Sequence, residues 1–156
     1  MATDFSISGL DGVLSKIKEL QSDIKIKGGR SALRKASLIV VNAAKANASK
    51  IDDPATGQSI SENVRMKFSS KLFKSTGDVG FNIGISGGAV LKKGGDGSAN
   101  SPTPHWRLLE FGTEKMRAQP FFRQSLENNV DKVISTFATE FEKAMGRALK
   151  RAAKGG

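Results

Sequence analysis

The sequence predicts an α+β domain: two N-terminal helices, an antiparallel sheet carrying a long loop, and a long C-terminal helix. Three observations predict it. Apolar residues recur at helical spacing from Leu10 to Leu20, from Leu33 to Ala44 and from Leu126 to Ala148. Between the second and third of these runs, residues 64–68 and 79–85 alternate with a period of two. The 156 residues, 38% hydrophobic, are enough for a single core, so residues 1–156 are read as one domain.

The first helix places Leu10, Val13, Leu14, Ile17 and Leu20 on one face, with Asp11 near the positive end of its dipole. Gly28-Gly29 then punctuates the chain. A second helix, about 31–49, carries a stripe of Leu33, Ala36, Val40, Ala43 and Ala44, whose small members favour close packing. The stripe turns polar at Asn47, which predicts that burial stops a turn before the helix does. Asp52 to Gly57 has the Pro and Gly chemistry of a loop.

Strands follow. Val64, Met66 and Phe68 alternate with Arg65 and Lys67, the pattern of a half-buried strand. Val79, Phe81, Ile83 and Ile85 alternate with Gly80, Asn82 and Gly84, and a turn at Ser75-Thr76-Gly77-Asp78 pairs the two strands antiparallel. Residues 87–104, GGAVLKKGGDGSANSPTP, offer almost no core material and are expected as a flexible loop. The last helix is expected to begin at Pro120, its first helical residue, and carries Leu126, Val130, Val133, Phe137, Phe141, Ala144 and Ala148 at spacings of four and three. Residues 147–156 are read as a basic C-terminal tail.

Lys and Arg number 25 against 15 Asp and Glu, a formal charge of +10, so the chain is drawn to something anionic. The charge lies in two blocks. Lys25, Lys27, Arg30, Arg34, Lys35, Lys45 and Lys50 form the first, with no acid among residues 25–50. Lys143, Arg147, Lys150, Arg151 and Lys154 form the second. Clustered Lys and Arg suffice to neutralise phosphates. Base reading has less support: Tyr is absent, Trp106 is alone, and most of the nine Phe sit at core spacing, leaving no stacking platform.

Several chemistries are excluded or unsupported. Without cysteine there is no disulfide framework, thiolate metal site or cysteine nucleophile, and a single His argues against zinc. Gly94, Gly95 and Gly97 lack the Gly-Lys-Ser/Thr of a phosphate loop. His105, beside Trp106 and near Glu110, has no nucleophile or carboxylate cluster to complete a mechanism and reads as part of an aromatic packing segment. No catalytic, cofactor-binding or metal-binding residue is assigned. Residues 1–10 include Asp4 and lack a secretory pattern. The longest apolar run, Leu38 to Val41, is too short to span a bilayer. An intracellular protein with no membrane contact is expected.

The most distinctive stretch is LLEFGTEKMRAQPFF, residues 108–122. Gly112 can take a positive φ and the Thr113 hydroxyl can satisfy a turn. A basic loop follows, then Pro-Phe-Phe opening a helix. Trp106, Leu109, Glu110, Phe111, Gly112 and Thr113, then Lys115, Met116, Ala118, Pro120, Phe121, Phe122 and Arg123, stand in an order and spacing that resembles the tail-completion family of HK97-like tailed phages, the neck or head–tail connector proteins. Ile7-Ser8-Gly9-Leu10-Asp11, Thr56-Gly57, and Ile60 with Val64, where the resemblance implies the entry to a strand, extend the likeness in pattern over most of the chain. The chain departs from the family at His105-Trp106-Arg107, where a Tyr-Ala pair is common, and in its long loop.

The resemblance implies a non-enzymatic structural protein located in the virion and assembled in the bacterial cytoplasm. It implies a homo-oligomeric ring, a hexamer, at the head–tail junction, touching head-closure, tail-terminator or tail-tube proteins while double-stranded DNA passes non-specifically through the channel. Trp106, Glu110, Phe111, Gly112, Thr113, Pro120, Phe121, Phe122 and Arg123 would be the assembly motif, pinning the last helix to the sheet. Phe111, Phe121 and Phe122 are expected to be buried, at roughly 1.5–3 kcal/mol each. Lys25, Lys27, Arg30, Arg34, Lys35, Arg147, Lys150 and Arg151 would either line the DNA channel or dock on acidic neighbours. The rivals are a tail-terminator ring capping the tube and, in another class, a small basic nucleic-acid-binding protein.

Overall fold

A computed structural model describes residues 18, 22–52, 55, 59–86 and 103–155. Helix α1, Gly29–Ser49, is the element the others pack around. Its buried side chains are small: Ala32, Ala36, Val40, Val41, Ala44 and Ala48. They allow a close approach by the last helix, Val130–Lys154, whose own buried residues are Ala144 and Ala148. The expected break at Gly28-Gly29 is absent: Asp23–Gly28 forms a π-helical turn that passes directly into α1. Glycine lowers helix propensity by about 1 kcal/mol, but both glycines are buried and this turn packs against the last helix, which outweighs that cost.

Burial in α1 also runs further than the polar Asn47 suggested. Ala48 is fully buried, and the Asn47 amide donates to the Phe121 carbonyl at 3.3 Å and to Ser125 Oγ at 3.1 Å. Satisfied in this way, an asparagine fits inside the interface.

After α1 comes one helical turn, α2, Ile60–Asn63, where a strand start was expected. Strands β1, Val64–Phe68, and β2, Phe81–Ile85, pair antiparallel as the alternation predicts, with Val64 opposite Ile85 and Phe68 opposite Phe81. Helix α3, Ser70–Thr76, occupies most of the connection. Gly77 ends it at φ 74°, donating to the Phe73 carbonyl at 2.9 Å. Two strands alone are marginal, and this pair is held by packing Met66, Ile83 and Ile85 over Val41 and Ala44 of α1.

Helix α4, Trp106–Phe111, leads through a tight loop to α5, Phe121–Glu127, and then to α6, Val130–Lys154. The single C-terminal helix expected from Pro120 is therefore two, with Pro120 just outside the first. Asn128 and Asn129 break it: Asn129 is non-helical at φ −123° and ψ 8°, and its amide donates to the Ser125 carbonyl at 2.9 Å. Asparagine competes in this way for helix backbone. Residues 147–154, read as a tail, are the last two turns of α6.

The expected first helix, residues 10–20, lies outside the described residues apart from Lys18, which is helical. The expected 87–104 loop also lies outside them as far as residue 102. Thr103 belongs to the body, fully buried and accepting from Asn63 Nδ2 at 3.0 Å. The architecture is α+β, with a helical layer on one two-stranded sheet.

Candidate functional site

Helix α5 starts without a capping side chain of its own, because the residue at its N-cap is Pro120. The first amides of a helix need acceptors from somewhere. Glu110, at the end of α4 and 2% exposed, supplies them. Its carboxylate accepts from the Phe122 amide at 2.9 Å, the Arg123 amide at 3.0 Å and Arg123 Nε at 3.1 Å. The other arm of the guanidinium donates back to the Glu110 carbonyl at 3.1 Å. A negative charge is favourable at a helix N-terminus, and here it also offsets the cost of burying the carboxylate.

The loop between the two helices is held just as tightly. Gly112 sits at φ 75° and ψ 178°, a region essentially restricted to glycine. A Cβ there would stand 2.8 Å from the Ala118 nitrogen and 2.9 Å from the Met116 oxygen, both backbone atoms. The Thr113 amide donates to the Met116 carbonyl at 2.9 Å, and the Gln119 amide to the Leu109 carbonyl at 2.7 Å. Lys115 N–H meets Thr113 Oγ1 at 3.3 Å. The Glu-Phe-Gly-Thr turn and the Pro-Phe-Phe-Arg helix start are thus two halves of one clasp.

Phe121 anchors the clasp, 4% exposed, in a cluster with Ala48 and Ile60 that Trp106, Leu109 and Phe122 extend. Burial of Phe111 was expected and is not observed. It is 64% exposed, on the outside of α4, with the Arg123 guanidinium 5.2 Å from its ring centroid. Helical geometry explains this: Glu110 points into the protein, and its neighbour in sequence is turned about 100° away from it. Leu108, on the same short helix, is 50% exposed.

A second carboxylate works in the same way. Asp52 accepts from the Ile60 amide at 2.8 Å, the Ser61 amide at 3.1 Å and Ser59 Oγ at 3.0 Å, capping α2 from eight residues upstream. Ser59 adds the local cap to Glu62 N–H at 3.3 Å. Sequence reading placed Asp52 in a loop and missed this role, although a short Ser-x-x-Glu at 59–62 was a usable signal.

The basic residues divide. Arg30 lies with its guanidinium carbon 4.1 Å from the Phe68 ring centroid, and Arg34 is exposed one turn on. Lys35, about 140° around the helix axis from Arg30, pairs with Glu140 of α6. Lys27 is exposed, and the Lys25 side chain lies outside the described residues. On α6, Lys143, Arg147, Lys150, Arg151 and Lys154 are all exposed within a sector of about 100°. Lys143 also reaches Glu140 at 3.3 Å. Hydrogen bonds from Lys35 and then Lys143 hold the Glu140 carboxyl below its ordinary range. The first block is therefore split between two sides of α1, while the second forms one continuous strip.

Among the described residues, no helix is long and apolar enough to cross a membrane. No family model, curated protein or solved structure matches the chain.

Proposed function

We propose that the chain is a structural virion protein of a tailed phage that forms a ring at the head–tail junction around the DNA channel. The observation that carries this reading is the clasp. The residues of the resemblance from Trp106 to Arg123 converge on it, and Glu110, Gly112, Phe121 and Arg123 interlock there. Their chemistry is that of a joint: the buried Glu110 carboxylate is spent on helix amides and a guanidinium. The clasp fixes a rim on which Leu108 and Phe111 stand exposed together with the Glu114–Arg117 loop. Such a rim suits a neighbouring subunit.

The strip on α6 supplies the charge expected of a surface beside passing DNA or an acidic neighbour. Its Lys and Arg are solvated rather than built into a pocket, a form compatible with DNA sliding past. The same strip favours the second reading, a small basic nucleic-acid-binding protein that grips phosphates. A tail-terminator ring is the alternative within the virion.

Electron microscopy of lysates from the encoding phage with this gene deleted separates the three. Filled heads lying apart from tails of normal length are the expected result. Overlong tails would favour the terminator, and intact infectious virions would overturn the virion reading in favour of nucleic-acid binding.

A further inference from the structure

The second basic block occupies the last turns of α6 and has a form of its own. Residues 143–156 contain no acid. Lys143, Arg147, Lys150, Arg151 and Lys154 are exposed within one sector of about 100°, and no apolar residue of the segment falls inside that sector. Among the described residues, only Lys143 of the five meets a carboxylate, that of Glu140. The helix dipole accounts for Arg151 and Lys154, which stand in the last turn. Its effect fades within that turn and leaves Arg147 and Lys150 unaccounted for.

We propose that this strip is a contact surface for the phosphate backbone of double-stranded DNA. The proposal rests on the functional reading only in that the strip faces a partner; spacing and composition choose DNA over an acidic protein. From Lys143 to Lys154 the helix rises about 16 Å, so the five cations stand one per roughly 3–4 Å, while one strand of a duplex presents one charge per about 3.4 Å of its axis. The two charge densities match.

The other anionic partners fit less well. A protein interface is built on an apolar centre from which lysine is depleted, and the strip has no such centre. Phosphate contact needs only clustered cations, because its driving force is the release of counterions. Single strands are held by stacking bases on aromatic side chains, and residues 143–156 include none. A lipid surface would take in the apolar side of a basic helix. On α6 that side carries Ala144 and Ala148, which are buried where the helix packs on α1. The duplex backbone is the anion that meets the strip without rearrangement.

Fluorescence anisotropy tests this, with a labelled duplex of about 30 base pairs titrated with the full-length protein at salt from about 50 to about 200 mM. With Arg147, Lys150, Arg151 and Lys154 each on a phosphate, log affinity should fall against log salt with a slope of about −3 to −4, roughly a 100-fold loss over that range. Arg147→Gln with Lys150→Gln should flatten the slope by about 2 and weaken low-salt binding about 10-fold or more, with circular dichroism unchanged. Arg147→Lys with Lys150→Arg keeps the charge and should bind as wild type does. Arg34→Gln with Lys45→Gln removes the same charge from exposed positions of α1 and should leave the slope near that of wild type.

Equal losses in the α1 and α6 double variants would overturn the proposal, since the attraction would then be one of net charge. Tighter binding to a single strand, to polyglutamate or to phosphatidylserine vesicles than to the duplex would overturn it in favour of that partner. No binding at low salt would overturn it outright. Failure here leaves the head–tail reading standing, because heads and tails lying apart in the deletion do not depend on this strip. Strip-dependent binding together with intact virions from the deletion keeps this inference and removes that reading.

Discussion

Removing the Glu110 carboxylate should weaken the fold far more than removing its partner Arg123. In Glu110→Ala the Phe122 and Arg123 amides lose their acceptor at the start of a part-buried helix. Loss of a cap costs about 0.5–2 kcal/mol, and each amide left without a partner about 1–3 kcal/mol where water cannot reach it. Water reaches this site in part, so the sum is about 2–4 kcal/mol. For a chain of this size that corresponds to a fall of roughly 5–15 °C in melting temperature. Glu110→Gln keeps the shape and one acceptor, and should lose about half as much. Arg123→Ala removes a side chain that is 54% exposed, and its screened ion pair is worth about 1 kcal/mol or less. Urea unfolding of the three variants, compared by midpoint at constant slope, tests the ranking. The capping argument is wrong if Arg123→Ala costs as much as Glu110→Ala, or if Glu110→Ala lies within about 0.5 kcal/mol of wild type.

Phe121→Ala should cost about 3–5 kcal/mol through the cavity it leaves. Phe111→Ala should be nearly neutral to folding while lowering oligomer mass in light scattering, because its ring is exposed on the proposed rim. Gly112→Ala should destabilise by at least about 1–3 kcal/mol, read from the same urea curves, since the added methyl meets backbone atoms that cannot swing aside. The Glu140 carboxyl titrates below its ordinary range, so its contribution to stability is fully present above the unfolded-state value and is lost as pH falls through the folded one. The difference between wild type and Glu140→Gln should accordingly shrink as pH falls through and below the ordinary carboxylate range. A difference that grew over that range would contradict the ion pairs with Lys35 and Lys143.

The strands, the hairpin pairing and a long helix at the C-terminus were legible in the sequence because each repeats a period over enough residues to be read locally. Interruptions were not. Gly28-Gly29 looked like a break, and only the packing of that turn on α6 keeps it helical. Asn128-Asn129 looked continuous, because apolar spacing on either side of a one-turn break stays in phase. The clasp residues stand out in the sequence as a group, but the division of labour among them depends on tertiary geometry. Glu110 turned inward leaves Phe111 outside, and a short apolar segment does not show which of two neighbours is buried. The cap itself left one trace: a helix opening on Pro, with no Ser, Thr, Asp or Asn beside it, must find its acceptor elsewhere.

Both remote caps share a direction. Asp52 precedes the Ile60 and Ser61 amides that it receives, and Glu110 precedes those of Phe122 and Arg123. A chain emerging from the ribosome therefore carries each acceptor before the helix that needs it, so α2 and α5 can close as they are made. The α1–α6 contact has the opposite timing. The apolar flank of α1 waits for Ala144 and Ala148 of α6, which are translated after the other elements described above. Nascent chains halted before α6 should hold both short helices in place and still present that flank to chaperones.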